Sequence, residues 1–130
     1  MERALRALLN QSAAIIAICP DTRIVWGRLG QGKALPAAVM TVIDNVDGLT
    51  MQGSDGLWRG RVQIDCYGAT YAAALDLAEA MIGVLHGHRA GSFRLIVLAG
   101  RRDYDESSAA DRPSRVSLDF ITNWRAGDAG

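Results

Sequence analysis

The sequence has few of the residues that build metal centres or disulfide frameworks. It contains two cysteines and two histidines among 130 residues. Zinc needs four protein ligands in a structural site and three in a catalytic one, whereas His86 and His88 stand apart from the isolated Cys19 and Cys66. We therefore expect no metal ligands, and we expect both cysteines to be free, buried thiols of a protein made in a reducing cytoplasm.

The sequence also lacks an excess of charge of either sign and any long hydrophobic run. Lysine plus arginine and aspartate plus glutamate number 14 each, so the formal net charge is zero. A dedicated nucleic-acid-binding protein would need surplus cations to neutralise phosphates, whereas a low net charge opposes self-association little. The longest apolar runs, such as residues 13–19, are far shorter than the roughly 20 residues of a membrane-spanning helix. The composition predicts neither nucleic-acid readout nor a membrane span.

Residues 27–34 come close to a phosphate-binding loop. Gly27, Gly32 and Lys33 match the pattern G-x-x-x-x-G-K-[ST] after a predicted strand. The last position of that pattern supplies a hydroxyl for Mg²⁺, and Ala34 has none. Residues 37–46 have the composition of a strand, which denies the loop a helix N-terminus for an anion. We predict a plain glycine-rich turn, no cofactor and no catalytic residues, because no local nucleophile motif frames the serines, histidines or aspartates.

The chain is predicted to form one α+β domain over residues 1–130. Its 49% hydrophobic and 22% charged residues are typical of a globular protein. Apolar spacing of three and four residues predicts helices, and alternation predicts strands. The predicted elements are a helix at 2–18, divided if residues 10–12 interrupt it, strands at 23–26, 37–46 and 57–67, a helix from the Thr70 cap to His86, and strands at 93–99 and 114–124. Hairpin-like connections then favour a mainly antiparallel sheet of four to five strands with two helices packed on one face, in the order α-β-β-β-α-β-β.

Two polar segments, residues 47–56 and 100–113, are predicted to be long loops. Loops of this length are uncommon in small domains unless they are functional or disordered. The first carries apolar side chains without an evident partner inside the domain. We expect both loops to be mobile in the free subunit, and the first to order against a partner protein. The candidate partner contacts are Asp47, Leu49, Met51 and Asp55.

The helix that follows Thr70 has two apolar stripes where a surface helix usually needs one. The first stripe consists of Tyr71, Leu75, Ala78, Ile82 and Leu85. The second consists of Ala73, Leu77, Ala80 and Val84. The second stripe is a candidate subunit interface, while a wide alanine-rich face tolerated at the surface stays open as the alternative.

Several segments together resemble a known family. The run from Arg61 to Tyr67 (RVQIDCY), followed by TYA at 70–72 and LAEA at 77–80, resembles the strand-into-helix core of the tail completion, or tail terminator, family of siphophages, prophages and gene transfer agents. Residues 23–24, the turn that ends at Pro36 and the strand at 115–120 fall in the same order. The chain departs from the family at positions 37–38, where alanines replace a frequent aromatic residue.

The resemblance implies a structural, non-enzymatic virion protein. Such subunits are expected to form a hexameric ring that caps the finished tail tube and joins it to a head-side connector or stopper protein. DNA would pass through the lumen without sequence-specific binding, and no membrane would be involved. The protein would be made in the host bacterial cytoplasm and would end at the head–tail interface of the virion. Two alternatives stay open: a head–tail connector or stopper ring, and a small ligand-binding domain or enzyme.

Overall fold

The computed structural model describes residues 2–20, 23–27, 35–50, 53–89, 93–104 and 114–125. Its elements in chain order are α1 (Glu2–Asn10), α2 (Ala13–Ile18), β1 (Ile24–Trp26), β2 (Ala37–Thr50), β3 (Gly53–Gly68), α3 (Tyr71–Leu85), β4 (Phe93–Tyr104) and β5 (Ser114–Arg125). The predicted α+β class and order of elements are confirmed, with the first helix divided in two.

The break between α1 and α2 has a local chemical cause. Ser12 adopts an extended backbone conformation, and its side chain accepts a hydrogen bond from the Ile15 N–H at 3.4 Å. Serine at this position therefore starts a new helix, because its hydroxyl satisfies an amide that the first turn leaves unpaired. Leu5, Leu9 and Ile15 are fully buried, so both short helices contribute to the same core.

The strands form one five-stranded sheet in the order β1-β2-β3-β5-β4. The pairs β2–β3, β3–β5 and β4–β5 are antiparallel, so the predicted mainly antiparallel sheet is confirmed. β1 pairs with β2 in parallel and makes the sheet mixed. β1 covers β2 only from Ala38 to Met40. Beyond Met40, the outer edge of β2 has no strand partner among the residues that the structure describes.

All three helices pack on one face of the sheet, where the apolar side chains of the central strands meet them. Burial of each large aliphatic side chain there stabilises the fold by about 1.5–3 kcal/mol. The cluster includes Leu5, Leu9, Ile15, Met40, Val62, Ile64, Cys66, Leu77, Met81, Leu118 and Phe120.

α3 begins and ends where the sequence predicts. The Thr70 hydroxyl accepts a hydrogen bond from the Ala73 N–H at 3.2 Å, which caps the first turn. At the other end Gly87 has φ +82°, a conformation that glycine adopts without steric cost.

Residues 47–50, 53–56 and 100–104, which were predicted to belong to two long loops, are strand, and the prediction is wrong for these residues. β2 continues to Thr50 and β3 starts at Gly53, with register shifts after Val42 and Asp47 that accommodate the extra residues. β4 likewise extends through residues 100–104, paired with β5. The glycines and charged residues of these segments indicate a loop. Antiparallel pairing nevertheless provides hydrogen bonds for the backbone whatever the side chains are, and charged side chains are common on edge strands. Residues 51–52 and 105–113 lie outside the described part.

Candidate interaction surface

The helices cover one face of the sheet, and the described residues place no element on the other. Because side chains alternate along a strand, every second residue of the central strands points away from the helices. We call this surface the helix-free face. Its members include Asp44 of β2, Arg59, Arg61, Gln63 and Asp65 of β3, Arg102 of β4, and Ser117, Asp119 and Ile121 of β5.

A hydrogen-bonded network crosses the middle of the helix-free face. The Ser117 hydroxyl donates to Asp65 Oδ1, and Gln63 Nε2 donates to both carboxylate oxygens of Asp65 at 3.1 Å. Asp65 is 7% exposed and Ser117 is 1% exposed. Such buried polar groups depend on each other for their hydrogen bonds. The β3–β5 register places Asp65 opposite Ser117, which brings together residues that are distant in sequence.

Two arginines extend this network across the sheet. Arg102 donates to Gln63 Oε1 at 3.5 Å and to Asp119 Oδ2 at 3.4 Å, and Arg61 lies 3.6 Å from the same Asp119 oxygen. The arginine side chains are about half exposed, whereas that of Asp119 is 12% exposed. Each exposed pair contributes only ~0–1 kcal/mol. Their main effect is geometric, because side chains of β3, β4 and β5 are held in one arrangement.

A shallow groove of about 180 Å³ lies beside the network. Ile121 forms its apolar floor, Arg59 and Arg61 lie on its β3 side, and Asp44 lies on its β2 side. Arg61 is paired with Asp119. Arg59 and Asp44 are exposed, and neither makes an ion pair with another described residue. Among the described residues, the groove therefore presents an apolar centre with one cation and one anion at its rim that are not in ion pairs.

This network was not among the features predicted from the sequence. A signal was present, because β3 and β5 carry the similar runs RVQID (61–65) and RVSLD (115–119). Antiparallel pairing of two such strands places a carboxylate of each beside a polar residue of the other. Local periodicity alone does not reveal which strands become neighbours.

A second polar cluster lies at the start of α3. Tyr71 Oη donates to Asp103 Oδ2 at 2.7 Å, and Arg101 Nε donates to Asp103 Oδ1 at 3.2 Å. Arg101 and then Tyr71 lower the pKa of Asp103, while the hydrogen bond to Asp103 raises the pKa of Tyr71. The cluster is exposed, so these interactions are screened by water. It links α3 to β4, in a segment that was predicted to be a loop.

The fold buries one residue of the predicted interface stripe on α3 and leaves the other three partly exposed. Leu77 is fully buried in the core of its own chain, so its side chain has no surface left for a neighbouring subunit. Ala73, Ala80 and Val84 are partly exposed and remain a predicted interface. The most exposed positions of α3 are Tyr71, Ala72, Asp76, Glu79 and Gly83.

The predicted partner contacts fall on the hairpin of β2 and β3. Asp47 and Leu49 belong to β2 and Asp55 to β3, and Leu49 pairs with Ser54. Met51 lies outside the described residues, as do the side chains of the other three positions. Their role as partner contacts stays a prediction.

The histidines have structural partners. His86 Nδ1 accepts a hydrogen bond from the Leu98 N–H at 3.0 Å. Ile96 exchanges backbone hydrogen bonds with Gly87 and His88, so the turn after α3 covers part of the outer edge of β4. In the described part of the chain, no three histidine, cysteine, aspartate or glutamate residues are grouped as metal ligands would be.

The near-match to a phosphate-binding loop leads into a strand, as predicted. Gly27 has φ +85°, and the next described element after the turn is β2. Arg28 to Ala34 lie outside the described residues, so Lys33 has no structural description. Among the described residues, no helix has the length and apolar character that crossing a bilayer requires.

Known proteins resemble this chain in sequence pattern and in fold. The sequence profile of the family described as Tail completion protein gp17 matches residues 3–123. No curated protein sequence matches the chain. Among solved structures, a chain from the virion of a native gene transfer agent particle has the same fold, with a TM-score of 0.72 and 17% sequence identity. That match covers 97% of this chain and 95% of the other.

Proposed function

The chain belongs to the tail completion protein gp17 family and is a phage tail structural protein, and from this premise we propose that it forms a ring that closes a finished tail tube. In this proposal the ring contains six copies and joins the tube to a connector or stopper protein on the head side. The chain would be synthesised in the bacterial cytoplasm and retained at the head–tail interface of the virion.

The observation that carries the proposal is the extent of the family match. Residues 3–123 include part or all of every helix and strand that the structure describes. The function therefore belongs to the whole fold rather than to an added segment. The fold of a chain in a gene transfer agent virion supports the same placement in a particle.

The surface chemistry supports assembly rather than catalysis. The Ser117 hydroxyl in the polar network on the helix-free face donates to the Asp65 carboxylate and is 1% exposed, so a substrate has no access to it. His86 is engaged with the backbone of β4. Paired side chains that hold a surface in one arrangement lower the entropy lost when a partner docks.

The charge balance supports passage of DNA without sequence readout. A lumen through which DNA slides must not hold phosphates strongly, because each neutralised phosphate adds affinity. A chain with 14 cationic and 14 anionic side chains has no surplus to make such contacts.

Electron cryomicroscopy of the assembled particle tests the proposal. We expect six copies in mutual contact at the head-side end of the tail tube. Particles made without the chain should accumulate heads and tails that are not joined, and supplying the wild-type chain should restore joining. Another stoichiometry, copies that never touch, or a position inside the head-side connector would contradict the proposal; the last result would favour a stopper or connector ring instead.

A further inference from the structure

We propose that the helix-free face is the docking surface for a second copy of this chain, and that the exposed side of α3 of that copy occupies the groove. The inference rests on the proposed ring and adds which two surfaces meet. Its central observation is a groove with an apolar floor and exposed arginines on one side of the sheet, and, on the helix that covers the other side, two exposed acids that make no ion pair with another described residue.

The receiving surface has the composition of a protein interface. Ile121 forms the floor of the groove and is half-buried, as is Val97, its partner in the β4–β5 register. Arg59 on the rim is exposed and without an ion pair among the described residues, and Arg61 is about half exposed. An apolar centre with a charged rim is the usual anatomy of a docking surface. The adjoining network of paired side chains fixes the arginine side of this rim.

The exposed side of α3 complements that surface in charge and shape. Asp76 and Glu79 are exposed, lie one turn apart, and make no ion pair with another described residue. Small residues lie beside them at Ala72, Ala80 and Gly83. Small side chains allow the helix backbone to come close to a sheet. The two acids would then face Arg59 and Arg61, while Asp44 on the opposite rim repels the reverse orientation.

A second copy fits this face better than nucleic acid does. Asp44, Asp65 and Asp119 lie among the arginines of the helix-free face and offset most of their charge. Phosphate backbones need an uncompensated cationic surface, whereas a helix with two acids needs only the local pair Arg59 and Arg61. In a protein partner, acidic side chains can pair with the arginines at the rim of the groove, and small side chains can pack on its apolar floor.

The geometry of this contact also permits a closed assembly. α3 and the helix-free face lie on opposite sides of the same sheet, so one copy uses both surfaces at once, each with a different neighbour. Such a contact is heterologous, and repeating it generates a ring when the rotation closes. The proposed ring of six copies is one of the closed rings that repetition of this contact can form.

Charge reversal with compensation tests the inference. Arg59→Glu alone, and Asp76→Arg with Glu79→Arg, should each raise the dissociation constant of self-association about tenfold or more, as measured by sedimentation velocity. The variant that carries all three changes should associate more tightly than either of these variants, because the introduced glutamate can pair with one introduced arginine while Arg61 still opposes the other. Arg3→Glu, an exposed change of the same size on α1, is the matched control and should leave association unchanged. Circular dichroism melts identify any variant whose fold is impaired.

Two results would overturn the inference. One is a wild-type chain that stays monomeric at millimolar concentration; the other is an oligomer whose dissociation constant the reversals leave within about twofold of the wild type, or whose association is no tighter in the variant with all three changes than in the separate reversals. Neither result removes the proposed function, because a ring in the reconstructed particle can be built through other surfaces. The proposed function fails separately, if that reconstruction shows no ring.

Discussion

Gly68, the last residue of β3, lies directly against the first turn of α3. A Cβ atom built there would meet the Ala74 amide nitrogen and would lie 2.9 Å from the Ala73 carbonyl carbon. Both are backbone atoms of the first turn of α3, which the Thr70 cap holds in place. A side chain can be accommodated only by moving the start of the helix.

We therefore predict that Gly68→Ala destabilises the fold by about 1–3 kcal/mol, the usual cost of overpacking. Gly83→Ala is the matched control, because a Cβ at Gly83 meets nothing within 4 Å and the position is helical. Alanine there should stabilise the chain by about 0.5–1 kcal/mol, the difference in helix propensity. Urea unfolding midpoints distinguish the two. Equal midpoints for both variants would mean that Gly68 is not the contact that positions α3.

Cys66 is a buried thiol whose chemistry is set by its surroundings. Burial raises the pKa of its thiol strongly above the ordinary value of 9.0, and the charge of the nearby Asp65 raises it further. The folded chain therefore keeps this proton at pH values where the unfolded chain loses it. Above about pH 9 the free energy of unfolding should therefore fall as pH rises.

The corresponding prediction concerns labelling. At pH 8, alkylation of Cys66 should be at least about a thousandfold slower in the folded chain than in urea, because reaction requires unfolding that costs about 5 kcal/mol or more. Mass spectrometry of iodoacetamide-treated protein measures this rate for each cysteine. Rapid labelling of Cys66 under native conditions would show that the site opens locally.

At the scale of elements, α3 illustrates how one helix serves two environments. Its buried side contains Ala74, Leu77, Ala78, Met81 and Leu85, which pack on β3 and β5. Its other side carries the exposed acids and small residues. The sequence shows two apolar stripes but does not show which one the sheet takes.

We predict that Leu77→Ala destabilises the monomer by about 2–5 kcal/mol, as removal of a fully buried leucine side chain does. Val84→Ala, at a half-buried position of the same helix, should cost about 1 kcal/mol or less. Chemical denaturation of the monomeric chain measures both. If Leu77→Ala weakened self-association without lowering the free energy of unfolding, Leu77 would not be a core residue and would instead belong to the subunit interface.

The β2–β3 hairpin is the element on which the predicted partner contacts lie. Its arms stay paired as far as Thr50 and Gly53, well beyond the predicted strands. Replacing residues 48–55 by a two-residue turn leaves the central sheet intact. We expect the shortened chain to fold with an unchanged melting temperature, within a few degrees, and to join heads to tails much less often than the wild type.

Counting joined particles by electron microscopy measures this effect. A matched control keeps the hairpin length and replaces the same residues with a glycine–serine sequence of equal length. This control distinguishes an effect of the length of the hairpin from an effect of its side chains. Joining at the wild-type frequency by the shortened chain would exclude the hairpin as a docking element.

At the scale of the whole molecule, the balance of charge predicts weak contact with DNA. The purified chain should bind duplex DNA of any sequence with a dissociation constant no tighter than about 10⁻⁴ M at physiological salt, the weak end of nonspecific binding. Fluorescence anisotropy over a range of salt concentrations measures both the affinity and the number of phosphates contacted. Tight binding that falls steeply with salt would mean that the fold gathers its arginines into a cationic surface.

The sequence by itself determined the features that depend on neighbouring residues. The Thr70 cap and Gly87 fix the ends of α3, and the alternation over residues 57–67 fixes which side chains of β3 face the core. These follow from backbone chemistry and from periodicities of 3.6 and 2 residues, which a local stretch of sequence already contains.

Only the tertiary structure decided the features that depend on distant residues. The length of β2 and β4, the parallel pairing of β1, the burial of Leu77 and the meeting of Asp65 with Ser117 each require a partner strand or helix from elsewhere in the chain. Strand pairing joins residues that are far apart in sequence, and its backbone hydrogen bonds depend only weakly on the identity of the side chains. For that reason the groove of Asp44, Arg59, Arg61 and Ile121, drawn from three strands, exists only once the sheet has assembled.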